Sequence, residues 1–225
     1  MPQLPLGSSV TVVMRLILVR HADAYAGFDG VISGPSGCRG LTELGRRQAK
    51  ALRQYLADTG RVRADILLAS VLPRALETAK IIAPALGLQS VREECGLCEI
   101  HTGEADALAW TEYAVRYGWF DMETEPERVF APGGDSWRTF HERVQRMCER
   151  VAAEFPDQTV LAVCHAGFIM ASLRMLFAIP HPGTGARIRP TNTGITEWEY
   201  EKAFDRWTLH SFNEHAHLLA LEADP

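Results

Sequence analysis

The feature that most constrains this chain is an unbroken apolar run, Leu16-Ile17-Leu18-Val19, that ends abruptly in Arg20-His21-Ala22-Asp23. Such a run reads as a strand buried on both faces, and its basic pair falls where the strand would surface into a loop. In open α/β sheets ligands bind outside the carboxyl ends of the strands, so a histidine just past the last buried residue is rigidly held yet reachable. The arrangement recurs far downstream. Thr159-Val160-Leu161-Ala162-Val163-Cys164 is again apolar and β-branched, ends in His165, and is followed by the small residues Ala166 and Gly167 and then a helical pattern. Two histidines on two strand ends can face one pocket.

Strands and helices alternate around these runs. Thr42 is a candidate N-cap, with Leu41 as a staple residue and Leu44, Gln48, Leu52, Tyr55 and Leu56 tracing one helical face. Residues 65–70 read as a second strand, Pro73 as the first turn of a helix to about Ala83, and residues 90–94 as a short third strand. Residues 136–155 form a helix packing through Phe140, Val144, Met147, Cys148 and Val151, and residues 168–177 another. Residues 193–200 and 206–213 read as a closing hairpin. This order implies an α/β fold, a three-layer α/β/α sandwich with a mostly parallel central sheet. The Gly/Pro/Ser-rich residues 27–40 make a long loop of the kind that carries function. Residues of about 105–132 read as a helical insertion capping the site. Its aromatic residues Trp110, Tyr113, Tyr117, Trp119 and Phe120 suit the insertion's own core better than a substrate wall.

The 225 residues exceed the commonest domain size of about 100–150 but fit one domain, residues 10–225, behind a loose tail over 1–9. Met1 and Met14 are equally acceptable starts. A formal net charge of -5 argues against generic attraction to nucleic acid or an anionic membrane. The longer apolar stretch that follows Ser9 is interrupted by Arg15 and ends in Arg20-His21, so it resembles neither a signal peptide nor a membrane span. Five cysteines, an odd and dispersed set, fit a reducing, cytoplasmic setting. Cys95 and Cys98 spell a CxxC, but no second close Cys/His pair at finger spacing accompanies them, and no metal is expected there.

Two further pieces bear on chemistry. Arg74 falls in the first turn of its helix, where an exposed cation loses about 0.3–1 kcal/mol against the helix dipole; the position makes sense if helix end and guanidinium both face an anion. Glu99 sits on the loop after the third strand, preferred over Glu93, Glu94 and Glu104 as a candidate acid.

Arg20-His21-Ala22 resembles the Arg-His-Gly signature of the histidine phosphatase superfamily, the phosphoglycerate mutase-like proteins, with alanine in third position. The similarity continues in order through residues 41–49, the Arg74 helix, the Glu99 loop, Gly133-Gly134-Asp135-Ser136, Cys164-His165-Ala166-Gly167, Asn192 to Thr196 and Asn213 to Leu218. Any one fragment is weak; their order is specific. The resemblance implies that His21 attacks phosphorus, that Arg20, Arg74 and His165 hold the phosphate, and that Glu99 serves as acid and then base. It places Ala166 and Asn192 at the substrate and calls for no cofactor.

Departures narrow the reading. Gly27 stands where many relatives carry a phosphate-binding Asn, and Glu99-Ile100-His101-Thr102-Gly103 differs from the Glu-Arg-His-Tyr-Gly pattern of mutases, which leans the chain towards hydrolysis. The Arg-His-Ala-Asp opening is similar to small phosphohistidine protein phosphatases, which are shorter and lack the acid. The expectation is a metal-independent phosphomonoesterase acting on a small phosphorylated metabolite, as a monomer or homodimer. Alternatives are a mutase-like phosphotransferase, a phosphohistidine protein phosphatase and a non-catalytic phosphate-binding domain. His101, Arg39, Arg187 and Arg189 are candidates for contacting the rest of a substrate, and His215 and His217 for terminal structure.

Overall fold

A computed structural model describes residues 13–179 and 187–222. The expected tail over 1–9 lies outside the described residues. Six strands form one sheet: β1 (Val13–Arg20), β2 (Ile66–Ala69), β3 (Arg92–Glu93), β4 (Thr159–Cys164), β5 (Ile195–Glu201) and β6 (Arg206–Glu214), in the spatial order β3-β2-β4-β1-β5-β6. The first four in that order are mutually parallel, and the hairpin β5-β6 adds antiparallel to β1. The sheet is mostly parallel, as the alternation of elements implied. The third strand is only two residues long, shorter than expected.

Alternation along β1 explains the three layers. Leu16 and Leu18 join Met14, Val160, Ala162 and Trp198 on one face, covered by α4 (Trp137–Glu154) and α5 (Ala166–Leu176). Ile17 and Val19 point to the other face with Leu161 and Val163, under α1 (Glu43–Thr59) and α2 (Pro73–Ile82). Both sets are almost wholly excluded from solvent, as a strand buried on both faces requires.

The helix ends follow their capping residues. Thr42 Oγ1 accepts from the Gly45 amide at 2.9 Å and starts α1, and Ser136 forms a capping box with Thr139 to start α4. Leu44, expected on the inner face of α1, is exposed. The buried residues are Gly45, Ala49, Leu52 and Leu56, because the Asp23 carbonyl presses on α1 where a Cβ at Gly45 would stand. α5 begins at Ala166 rather than Phe168, with His165 extended at its N-cap (φ -128, ψ 165).

The expected insertion is less helical than its composition suggested. It holds α3 (Trp110–Tyr117), and the following residues to Asp135 are mostly turns. Tyr113 is buried with Ile32, Ala105, Phe130 and Ala131, with Tyr117 and Phe120 packed against them. Trp110 and Trp119 instead stack at the surface, ring centroids 5.7 Å apart. Asp106 ties this region to the long loop by accepting from the amides of Ser36 (2.7 Å) and Gly37 (3.0 Å).

Candidate active site

Strand register puts the two histidines side by side. Arg20 on β1 is paired with Cys164 on β4, so the next residue of each chain is a histidine at the same edge of the sheet. Their ring centroids lie 5.1 Å apart, and both side chains are buried. On the other side of β4, Ala69 of β2 pairs with Val163, which brings Ser70 to the same edge. The site therefore lies outside the carboxyl ends of β1, β4 and β2.

His21 is held from several directions. Its backbone amide donates to Cys164 O (2.9 Å) and its carbonyl accepts from Asn192 Nδ2 (2.9 Å). Nδ1 donates to the Ala22 carbonyl at 2.7 Å, because a carbonyl can only accept. That bond selects the tautomer and leaves Nε2 with a bare lone pair, which accepts from Arg74 Nε at 3.3 Å. Burial first, then the Arg74 charge, hold the imidazole well below the usual histidine range, against the opposing pull of the Ala22 bond; Arg20 adds to the depression. The ring is held neutral, with Nε2 unprotonated.

His165 is wired the other way. Its Nε2 lies 2.8 Å from Ser70 Oγ, while Nδ1 is buried without a hydrogen-bond partner. Burial, then the Arg74 charge, push its pKa well below the ordinary value. Arg20 donates from Nη1 to Pro190 O at 2.6 Å, and its Nε is also buried and unpartnered. Burial lowers its guanidinium pKa as well, countered by Glu99. Arg74 is buried in the first turn of α2, and its Nη1 donates to Ser33 O (2.9 Å) on the long loop. Glu77, the surface partner that the helical spacing would offer Arg74, pairs instead with Arg46 at 2.8 Å.

Glu99 reaches the same place from the opposite wall. Its Oε2 accepts from the Gly167 amide at 2.9 Å in the first turn of α5. A Cβ at Gly167 would collide with this carboxylate, so the small residue after His165-Ala166 is required. Of the rival carboxylates, Glu93 and Glu104 are exposed and Glu94 is paired with Arg150 at 2.6 Å.

A cavity of about 730 Å³ opens beside Arg20, Ala166 and Asn192 and is walled by Arg187, Arg189 and Glu123. Arg39 does not line it; the guanidinium pairs with Asp29 at 3.0 Å and lies over the Tyr25 ring. His101 lines a smaller cavity of about 290 Å³ on the other side of Glu99. His217 packs under β5, its Nε2 2.8 Å from Thr193 Oγ1, with burial bringing its pKa down to about 4. His215 bonds the Asn213 carbonyl through Nδ1 at 2.6 Å.

Three residues escaped sequence reasoning. Ser70 shares the strand-end position of the histidines, and that position was its available signal. Thr78 accepts from the Ala22 amide (3.1 Å). Arg143, inside α4, donates to the Cys98 and Glu99 carbonyls (2.8 and 3.0 Å) and to Asp135 (2.7 Å), clamping the loop that carries Glu99. Nothing in helical spacing points Arg143 at that loop.

The profile of the histidine phosphatase superfamily (branch 1) matches residues 16–215. The chain belongs to this superfamily. Among its curated relatives within the superfamily is a bifunctional protein of Mycobacterium tuberculosis, 34% identical over 166 residues, covering 72% of this chain and 43% of the relative. The chain thus spans less than half the length of the first relatives it matches. Phosphoserine phosphatase 1 of Hydrogenobacter thermophilus is 31% identical over 162 residues, 68% of this chain and 71% of the relative. A solved mycobacterial glucosyl-3-phosphoglycerate phosphatase superposes with a TM-score of 0.70 at 25% identity, over 90% of this chain and 99% of that one.

Proposed function

We propose that the protein is a metal-independent phosphomonoesterase that hydrolyses a small phosphorylated metabolite through a phosphohistidine on His21. One observation carries the reading: a tautomer-fixed, unprotonated His21 Nε2 sits beside Arg74, while Arg20 Nε and His165 Nδ1 nearby are buried without partners. Leaving a buried polar group unsatisfied costs about 1–3 kcal/mol. Two such groups beside a nucleophile fit a site built around an anion.

In the first step the Nε2 lone pair attacks phosphorus and the P–O ester bond breaks, its electron pair leaving on the ester oxygen, which Glu99 protonates. In the second, water attacks phosphorus, gives its proton to Glu99, and the P–N bond pair returns to Nε2. Arg20 and Arg74 stabilise charge on the transferring oxygens, the dominant contribution in phosphoryl transfer. His165, neutral when the site is free, takes up a proton with the phosphate and donates from Nδ1. Ala166 and Asn192 shape the substrate side, Asn192 through the His21 carbonyl.

The cavity volume falls in the roughly 300–1,000 Å³ range of small-molecule sites. Arg187 and Arg189 on its wall suit a phosphomonoester carrying further negative charge. The phosphoserine and glucosyl-3-phosphoglycerate phosphatases among the relatives support a metabolite over a phosphohistidine protein. Among the described residues no helix is long and apolar enough to cross a membrane. The five thiols are free, which supports a reducing, cytoplasmic setting; a monomer or homodimer is the assembly we propose.

The test is phosphate release from phosphorylated sugars, glycerates, amino acids and nucleotides, comparing wild type with Glu99→Gln. Loss of Glu99 should slow alkyl esters about 10²–10³-fold and p-nitrophenyl phosphate by less than about tenfold, because the aryl oxide leaves without a proton. Equal losses would remove Glu99 from the acid role.

A further inference from the structure

The loop after β3 that carries Glu99 holds a second set of groups that the phosphatase chemistry does not use. Cys95, Cys98 and His101 place two sulfurs and a ring nitrogen within 4.8 Å of one another. Sequence reasoning looked for a distant second pair, whereas the third ligand type follows three residues after Cys98, on the same turn of chain.

The two edges that meet at Cys95 match a coordination polyhedron. A tetrahedral zinc ion at about 2.3 Å from sulfur and about 2.0–2.1 Å from nitrogen has sulfur–sulfur edges of about 3.8 Å and sulfur–nitrogen edges of about 3.5 Å. Cys95 and Cys98 sulfurs lie 3.7 Å apart, and Cys95 Sγ lies 3.5 Å from His101 Nε2. The far side of the imidazole is also arranged for the purpose. His101 Nδ1 faces Asp135 Oδ2 at 3.5 Å, the carboxylate–histidine relay that orients metal-binding imidazoles and presents Nε2. Asp135 is itself fixed by Arg143 (2.7 Å) and the His101 amide (2.9 Å).

We propose that Cys95, Cys98 and His101 form a binding site for a thiophilic divalent cation of the zinc class, seated on the loop that carries Glu99. Two thiolates and a neutral imidazole give a charge-balanced, soft donor set that favours zinc over magnesium or calcium. Binding releases the two thiol protons to solvent, and the fourth position opens to the 290 Å³ cavity, where water completes the tetrahedron. The bound cation lies two hydrogen bonds from the catalytic end: Ser70 Oγ donates to Cys98 Sγ at 3.3 Å and contacts His165 Nε2 at 2.8 Å. It staples the turn that sets the position of Glu99.

This inference stands independently of the phosphatase reading, and its test reads no activity. The full-length protein, stripped of metal and kept reduced with a phosphine, is titrated with cobalt(II). Wild type should bind one equivalent with thiolate-to-cobalt charge-transfer bands and the intense visible bands of a tetrahedral site, both displaced by one equivalent of zinc. Cys95→Ser should lose most of the charge-transfer intensity, and His101→Gln should weaken binding at least tenfold, each with an unchanged circular dichroism spectrum. Absence of thiolate bands in wild type overturns the proposal. So does wild-type affinity in His101→Gln, or charge transfer of undiminished intensity in Cys95→Ser.

Discussion

His21 and His165 end two adjacent parallel strands in the same register, yet the hydrogen bonds around them give the two rings opposite orientations. His21 spends Nδ1 on a main-chain carbonyl and offers Nε2; His165 engages Nε2 with Ser70 and leaves Nδ1 unpartnered. A carbonyl accepts only, so it forces a single tautomer. Ser70 Oγ gives its one proton to Cys98 Sγ and so accepts from His165 Nε2, which leaves Nδ1 to gain or lose a proton without disturbing that bond. The pair teaches that identical strand-end placement supplies two imidazoles, and that the second hydrogen bond of each sets which ring nitrogen it presents; the proposed mechanism uses one as a fixed nucleophile and the other as an adjustable proton donor.

The largest expected effect breaks the pair unevenly. His21→Ala should lower kcat by about 10⁴-fold or more, because no covalent intermediate forms, while His165→Ala should lower it by about 10²–10³-fold by removing one donor to the transferring group. Steady-state rates on the best substrate decide this. Equal losses would contradict the division of roles.

Ser70 sharpens the comparison at a smaller scale. Ser70→Ala should lower kcat about tenfold with KM little changed and move the acid limb of the pH profile, through the freed His165 ring. Ser70→Thr should restore most of the rate. A loss of rate with an unmoved pH profile and no rescue would make Ser70 merely structural.

The smallest effect is on stability. Burial holds His21 and His165 well below the ordinary range and brings His217 to about 4. Each folded-state pKa lies below the unfolded value of about 6.5, so their contribution is complete above about pH 6.5 and is lost as pH falls towards the folded values. For His217 that window runs from about 6.5 to about 4. Thermal unfolding should therefore lose at least about 2 °C in Tm between pH 7 and 5.5, and the loss should be smaller in His217→Gln. A Tm that stays level over this interval would contradict the burial of neutral imidazoles.

The elements that one-dimensional pattern controls were legible before the structure. The buried runs of β1 and β4, the cap at Thr42, and the strand-end histidines are local consequences of composition and order. Leu44 is exposed because the buried stripe of α1 is set by the close approach of the Asp23 carbonyl at Gly45 rather than by hydrophobicity alone. Ser70, Thr78 and Arg143 act through partners 25 or more residues away, from His165 to the Glu99 loop. Such pairings follow from register and helix docking, which no local pattern encodes. His101 was visible as a candidate substrate contact on its loop, but its relation to Cys95 and Asp135 emerged only from the fold.

The central claim is that His21 Nε2 becomes covalently phosphorylated during turnover. Rapid acid-free quench of the enzyme with radiolabelled substrate, followed by alkaline-stable, acid-labile detection and peptide mapping, tests it directly. The account predicts label on the peptide containing His21, at the Nε2 position, and none in His21→Ala. Turnover with no labelled His21, or label on another residue, would contradict it.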